Sequence, residues 1–212
     1  MSRRRRRILG AGGTSIPAGA TLWLDASDSS TITASSGSVS LWADKSGNGN
    51  NATQGTGSAQ PTTGVNTANG KNVLNFDGGD TLEIGSGVYS IPSDENTLFI
   101  VSRCTDTSVQ RRPFVMTNGG TARYIMSYAE ANGTPSTTAV TFQNDIDLSP
   151  DGADATGTGA NAFTATNCFI GSQTGSAVFL VGDIGEVILY SRKLTTGEQN
   201  LIKAYLTNKW LA

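Results

Sequence analysis

The chain contains no histidine among its 212 residues. That absence excludes Ser-His-Asp and Cys-His catalysis, histidine general bases and zinc sites built on imidazole. Cysteine is scarce as well: only Cys104 and Cys168 occur, both inside apolar, strand-like text. They read as two buried thiols rather than a bridge, because free cysteine packs as a small hydrophobe, and the redox compartment stays open. Charged residues make up only 15% of the chain. No segment approaches the roughly 20 apolar residues of a membrane span. Arg3 to Arg7 followed by Ile8-Leu9-Gly10-Ala11-Gly12-Gly13 imitates the charged start of a secretion signal, but the stretch after the arginines is too glycine-rich for its apolar core. Export by the general pathway is not expected.

What is abundant points to β structure. The 26 glycines, with dense Ser, Thr and Asn, suit short strands joined by tight turns. The length suffices for one large domain, since about 150 residues already bury roughly 70% of the unfolded chain's surface. Residues 1–19 read as a basic, glycine-rich arm and residues 20–212 as the folded domain. Arg3, Arg4, Arg5, Arg6 and Arg7 supply five of the 15 basic residues, leaving 10 bases against 17 acids, a net −7, for the remainder. The arm is expected to anchor on an acidic protein groove or, through the arginine run alone, on nucleic acid.

Strands are expected at Thr21–Asp25, Val39–Trp42, Asn72–Phe76, Thr81–Ile84, Thr97–Ser102, Phe114–Met116, Tyr124–Tyr128, Ala139–Phe142, Asn167–Ile170, Ala177–Leu180 and Gly185–Tyr190. One helix is expected, at the end. Thr195-Thr196-Gly197-Glu198 has capping-box spacing, and Leu201, Ile202, Tyr205, Leu206 and Trp210 form a stripe of period near 3.6.

The loop Asp44-Lys45-Ser46-Gly47-Asn48-Gly49-Asn50 places Asp44, Ser46, Asn48 and Asn50 at every second position. Such oxygens either satisfy their own backbone as an Asx-type turn or converge on a hard cation, for which calcium is the candidate. No other cofactor is implied. The acids Asp145, Asp147, Asp151 and Asp154 read as a solvated loop or a second cation site. Paired carboxylates could still hydrolyse glycosides. However, Asp183 and Glu186 have odd spacing, which on a flat strand points them to opposite faces. Gly10-Ala11-Gly12-Gly13 lacks the last glycine of a phosphate loop, where Ser15 stands. No catalytic residue is assigned, and the chain is not expected to be an enzyme. Trp23 and Trp42 read as core residues; Tyr124, Tyr128 and Phe142 lie nearer polar loops and are the candidates for stacking on sugars.

Three segments carry a family resemblance: Leu22-Trp23-Leu24-Asp25-Ala26-Ser27 with Trp42 to Ala52, Gly70 to Asp80, and Gly182 to Arg192 leading into the last helix. Together they resemble laminin-G-like members of the concanavalin A-like lectin/glucanase superfamily. The resemblance implies an all-β, two-sheet antiparallel jelly-roll sandwich with one C-terminal α-helix. It also implies a curved face that in many relatives binds glycans or proteins, sometimes with calcium. The loop behind a basic start is also similar to structural proteins of tailed bacteriophages. On that likeness the chain is expected to be a non-enzymatic virion accessory protein, a capsid decoration or fibre-like subunit. It would be oligomeric, anchored by its arm to other virion proteins, with the sandwich turned to surface glycans. The alternatives are a free, extracellular carbohydrate-binding module or, third, a glycoside hydrolase.

Overall fold

A computed structural model describes residues 16–85, 89–91, 96–106, 111–118, 121–128, 139–144, 163–173, 175 and 178–211, with side chains described at all of these but 89–91, 118, 121–128, 139–144 and 163–164. The strands in chain order are β1 (Leu22–Asp25), β2 (Ile32–Ser35), β3 (Ser38–Trp42), β4 (Ala52–Thr53), β5 (Thr67–Ala68), β6 (Lys71–Asn72), β7 (Leu74–Asp77) and β8 (Leu82–Ile84). They continue with β9 (Tyr89–Ile91), β10 (Thr97–Cys104), β11 (Arg111–Asn118), β12 (Thr121–Tyr128), β13 (Ala139–Asn144), β14 (Phe163–Ala165), β15 (Asn167–Ile170) and β16 (Val181–Tyr190). Helix α1 (Thr196–Trp210) closes the chain.

Two antiparallel sheets carry the domain. One runs β1-β16-β10-β13, with β7 paired to the other half of β16; the larger runs β12-β11-β15-β8-β4-β3-β2. Strand periodicity sends alternate side chains to opposite faces, and a single apolar cluster fills the space between the sheets. Leu22, Leu24, Leu74, Phe76, Leu98, Ile100, Val187 and Leu189 enter it from the first sheet, and Trp42, Leu82, Ile84, Phe114, Met116 and Ile170 from the second. Cys104 and Cys168 lie in this core as free thiols.

A second cluster covers the outer face of the first sheet, where Phe99, Val101, Ile188 and Tyr190 meet Ile202, Leu206 and Trp210 of α1. This double burial explains the unbroken apolar runs Leu98-Phe99-Ile100-Val101 of β10 and Val187-Ile188-Leu189-Tyr190 of β16. The capping box forms as its spacing predicts: Thr195 Oγ1 accepts from Glu198 N at 3.3 Å, and Glu198 Oε2 accepts from Thr195 N at 2.9 Å. Leu201 departs from the expected stripe. It is 64% exposed, because the buried face of α1 follows Ile202, Leu206 and Trp210, and Leu201 lies round the helix from them.

Two further expectations are corrected. Residues 178–180 form no strand: Val178 has φ +51, outside the β region, and pairing begins at Val181. Strand β16 is also not flat. Val101 stands opposite Glu186 while Ser102 stands opposite Ile184, so Gly185 is an extra residue in a bulge. The bulge returns Asp183 and Glu186 to the same face of the sheet despite their odd spacing.

Candidate functional site

The acids of the outer face are held by a buried ionic cluster. Glu186 has no exposed surface and accepts four hydrogen bonds. Trp23 Nε1 (2.7 Å) and Tyr205 OH (3.0 Å) donate to its Oε1, and Trp210 Nε1 (2.7 Å) and Lys209 Nζ (2.8 Å) donate to its Oε2. Lys209 Nζ also donates to Asp25 Oδ1 at 2.7 Å, and Lys45 Nζ to Asp25 Oδ2 at 2.9 Å. Burial pushes the Asp25 carboxyl up, but Lys209 and Lys45 outweigh it and hold the group below its ordinary range. Burial and the neighbouring carboxylates push the Tyr205 phenol up. Trp23 therefore faces this cluster rather than the inter-sheet core that Trp42 fills. Asp183 bonds to Arg103, Asn66 and Asn75. With four donors on its two oxygens and no exposed surface, Glu186, together with Asp25, ties α1 to the first sheet, whereas Asp183 is held by Arg103, by β7 and by the loop before β5.

The loop after β3 is laced to the start of β1. Asp44 Oδ1 accepts from Trp23 N and Ser46 N, both at 2.9 Å, and its Oδ2 from Ser46 Oγ at 2.7 Å and Asn50 N at 3.0 Å. Asn48 Nδ2 donates to the Ala20 and Thr21 carbonyls, and Asn50 Nδ2 to Thr21 O at 2.8 Å. Asp44, Ser46, Asn48 and Asn50 are thus brought together, with the two amides turned as donors. Among the described residues no three Cys, Asp or Glu side chains are grouped to hold a metal.

The outward face of the larger sheet offers a different chemistry. Register aligns Leu41 with Thr53, Thr53 with Glu83, and Glu83 with Phe169 across four strands. Their strand neighbours Trp42, Ala52, Ile84 and Ile170 enter the core, so this row points away from it. Asn167 Nδ2 donates to Glu83 Oε1. Gly175 lies against the Phe169 ring, and Phe169 is 8% exposed, so the open part of the face is Leu41, Thr53, Glu83 and Asn167. A carboxylate, an amide, a hydroxyl and apolar surface thus stand side by side, as sugar hydroxyls and ring faces require. The alternation in Thr81-Leu82-Glu83-Ile84 could have singled out Glu83 as the outward acid.

At the β7–β8 turn, Asp77 N donates to Asp80 Oδ2 at 2.9 Å. Burial first, then the neighbouring Asp77 carboxylate, push the Asp80 carboxyl up to about 6.

Tyr124 stands opposite Met116, Tyr128 opposite Arg111 and Phe142 opposite Phe99 in register; their side chains lie outside the described ones. Arg3 to Arg7 and the acids Asp145, Asp147, Asp151 and Asp154 lie outside the described residues. No described helix is long and apolar enough to cross a membrane.

No protein-family model and no curated protein matches the chain. Solved structures do. A Trypanosoma rangeli sialidase in complex with sialic acid matches with TM-score 0.55 and 16% identity, over 93% of this chain and 34% of its own. An arabinofuranosidase complexed with arabinofuranosyl-alpha-1,2-xylobiose matches with TM-score 0.52 and 14% identity, over 92% of this chain and 60% of its own. Domain 4 of AbnA, a GH43 extracellular arabinanase from Geobacillus stearothermophilus, in complex with arabinotriose, matches with TM-score 0.50 and 14% identity, over 89% of this chain and 98% of its own. The chain thus spans about a third of the sialidase and three-fifths of the arabinofuranosidase.

These neighbours overturn the virion reading, since all three are glycoside hydrolases or a domain of one. The non-enzymatic reading falls with it. The expectation that Asp183 and Glu186 point to opposite faces assumed a flat strand, and the bulge at Gly185 corrects it. At such identities the likeness is one of fold: the chain is an antiparallel β-sandwich with a C-terminal helix, of the kind found in carbohydrate-active enzymes.

Proposed function

We propose that this chain is the glycan-binding sandwich of a carbohydrate-active enzyme, with concanavalin A-like jelly-roll connections. Its ligand is an arabinofuranosyl-containing oligosaccharide, held on the outward face of the larger sheet. The observation that carries this reading is the mutual coverage with the arabinanase domain, 89% of this chain against 98% of that one, so that the two sandwiches correspond as whole units. On the open face, the Glu83 carboxylate accepts from sugar hydroxyls, the Asn167 amide and Thr53 hydroxyl complete the polar contacts, and the Leu41 side chain meets a ring face. Charge-assisted bonds of this kind are about twice as strong as neutral ones, which makes Glu83 the main anchor.

Calorimetric titration with arabinotriose tests this, with reducing-sugar release from arabinan followed in parallel. Glu83→Gln should weaken binding about tenfold or more, corresponding to a charge-assisted bond of about 1.5–3 kcal/mol, without changing the melting temperature by more than a degree or two. Equal affinity in the variant would move the site off this face.

A further inference from the structure

The open face of the larger sheet ends abruptly on one side. In register, Thr33, Leu41, Thr53, Glu83, Phe169 and Val115 form one row from β2 to β11. Val115 shares the outward side with Glu83, because its neighbours Phe114 and Met116 enter the core. Exposure falls along the row. Thr33 and Thr53 are exposed and Leu41 and Glu83 half-buried, whereas Phe169 is buried and Val115 has no exposed surface.

The row stops at a wall. The chain leaves β15 at Gly171, where φ is +84 and an added Cβ would run into the Phe76 ring, so only glycine fits the turn. It returns at Leu180, whose N–H donates to the Gly171 carbonyl at 2.7 Å. Between these ends Gly175 lies against the Phe169 ring and donates its N–H to Ser172 Oγ at 3.0 Å; that oxygen stands 2.7 Å from Thr81 Oγ1. Gly171 N also donates to the Pro113 carbonyl, and Arg111 Nη1 to the Phe179 carbonyl at 3.2 Å. The wall is thus pinned to β11 and to the start of β8. It closes the face one strand, about 4.8 Å, beyond Glu83. On the other side three strand spacings, about 14 Å, lead from Glu83 to the β2 edge.

We propose that this face takes a glycan by its non-reducing end and does not bind along the middle of a chain. The inference rests on the glycan-binding reading above. The terminal sugar sits on Glu83 and Asn167 with its leading edge against Phe169 and Gly175, and the rest of the ligand runs out over Thr53 and Leu41 to the β2 edge. A polymer continuing across the strands would have to pass through the wall. Along β8 the same wall blocks one direction, since Thr81, two residues before Glu83, is buried against Ser172. A terminal sugar also keeps the hydroxyl that an internal one uses in its glycosidic bond. A carboxylate accepts hydrogen bonds but cannot donate them, so Glu83 gains most from a sugar with that extra donor. A branched polysaccharide carries many non-reducing ends and a single reducing end, which makes its side-chain tips the ligand.

The test titrates the full chain calorimetrically with four ligands: arabinotriose, arabinotriose reduced to its alditol, arabinotriose methylated on the hydroxyls of its non-reducing sugar, and a linear arabinan of known mean length, much longer than the protein is wide. One protein should bind per arabinan chain, whatever that length. The alditol should bind as tightly as arabinotriose. The methylated ligand should bind about tenfold or more weakly, the effect of one lost charge-assisted bond. Several proteins per arabinan chain, in proportion to its length, would overturn the proposal while leaving the glycan-binding reading in place. Full affinity for the methylated ligand, or affinity lost in the alditol, would do the same. Arabinotriose that does not bind at all would overturn the glycan-binding reading itself, and this inference with it.

Discussion

Lys209 Nζ lies 2.7 Å from Asp25 Oδ1 and so ties the last helix to the first strand, residues 184 positions apart. The same ammonium reaches Glu186 at 2.8 Å and the Tyr205 hydroxyl at 3.0 Å. The helix is therefore held over the sheet by a charge as well as by its apolar stripe.

Removing that charge should be costly. Lys209→Met takes the ammonium away from Glu186, which has no exposed surface, and leaves Asp25, 4% exposed, with Lys45, which Asp28 also engages. Breaking a buried pair from one side costs about 3–5 kcal/mol, and urea denaturation at pH 7 should show it. Adding Asp25→Asn and Glu186→Gln should restore part of the loss. Because Asp25 is depressed below its ordinary value of 3.8, its contribution is complete above about pH 4 and is lost as pH falls further. A loss under about 1 kcal/mol for Lys209→Met, the range of exposed pairs, would mean that water reaches the cluster.

Gly185→Ala probes the bulge. A Cβ there would stand 3.0 Å from two ring carbons of Trp210. The indole must move, which strains its 2.7 Å bond to Glu186. Overpacking of this kind costs about 1–3 kcal/mol. Thermal melting should record the loss, and tryptophan emission should change with it; an unchanged melt and spectrum would show that the ring yields freely.

The Asp44 loop makes a separate prediction. Asp44→Ala removes the acceptor for four donors, among them the part-buried Trp23 N–H. Stability should drop by about 1–3 kcal/mol. The drop should be the same in calcium and in EDTA, because Asn48 and Asn50 present N–H groups, not oxygens, to Ala20 and Thr21. A calcium-dependent rise in melting temperature that vanishes in the variant would instead assign the loop's oxygens to a cation.

Local features were legible in the sequence because their causes are local. Thr195 and Glu198 are three residues apart, and their reciprocal bonds follow from that spacing alone. Strand β10 declares itself because both its faces are covered, one by the core and one by α1. The bulge at Gly185 was not legible, since an extra residue has meaning only against a partner strand, here β10. Trp23 looked like a core residue because its neighbours are apolar, yet its indole serves Glu186, 163 residues away. The open face at Glu83 needed the register of four strands before its residues became neighbours. Alternation in Thr81-Leu82-Glu83-Ile84 marks Glu83 as outward, but not which residues of the other strands stand beside it.

Asp80 gives the chain a pH dependence opposite in sign to that of Asp25. Its carboxyl is pushed up to about 6 from an ordinary value of 3.8 by burial and by Asp77, and the residue is 4% exposed. The folded chain therefore holds this proton between about pH 4 and 6, where the unfolded chain has released it. Stability from this group is present at low pH and is lost as pH rises through about 6. A tenfold change in proton affinity corresponds to about 1.4 kcal/mol, and allowing for water at the turn the loss should be on the order of 1–3 kcal/mol. Asp80→Asn keeps an oxygen to accept the Asp77 N–H and removes the ionisation. The variant should melt several degrees above the parent at pH 7.5, at roughly 2–4 °C per kcal/mol for a chain of this size, and match it near pH 4. A variant that gains nothing at pH 7.5 would show that Asp80 ionises there without cost, through water or a bound cation at the turn.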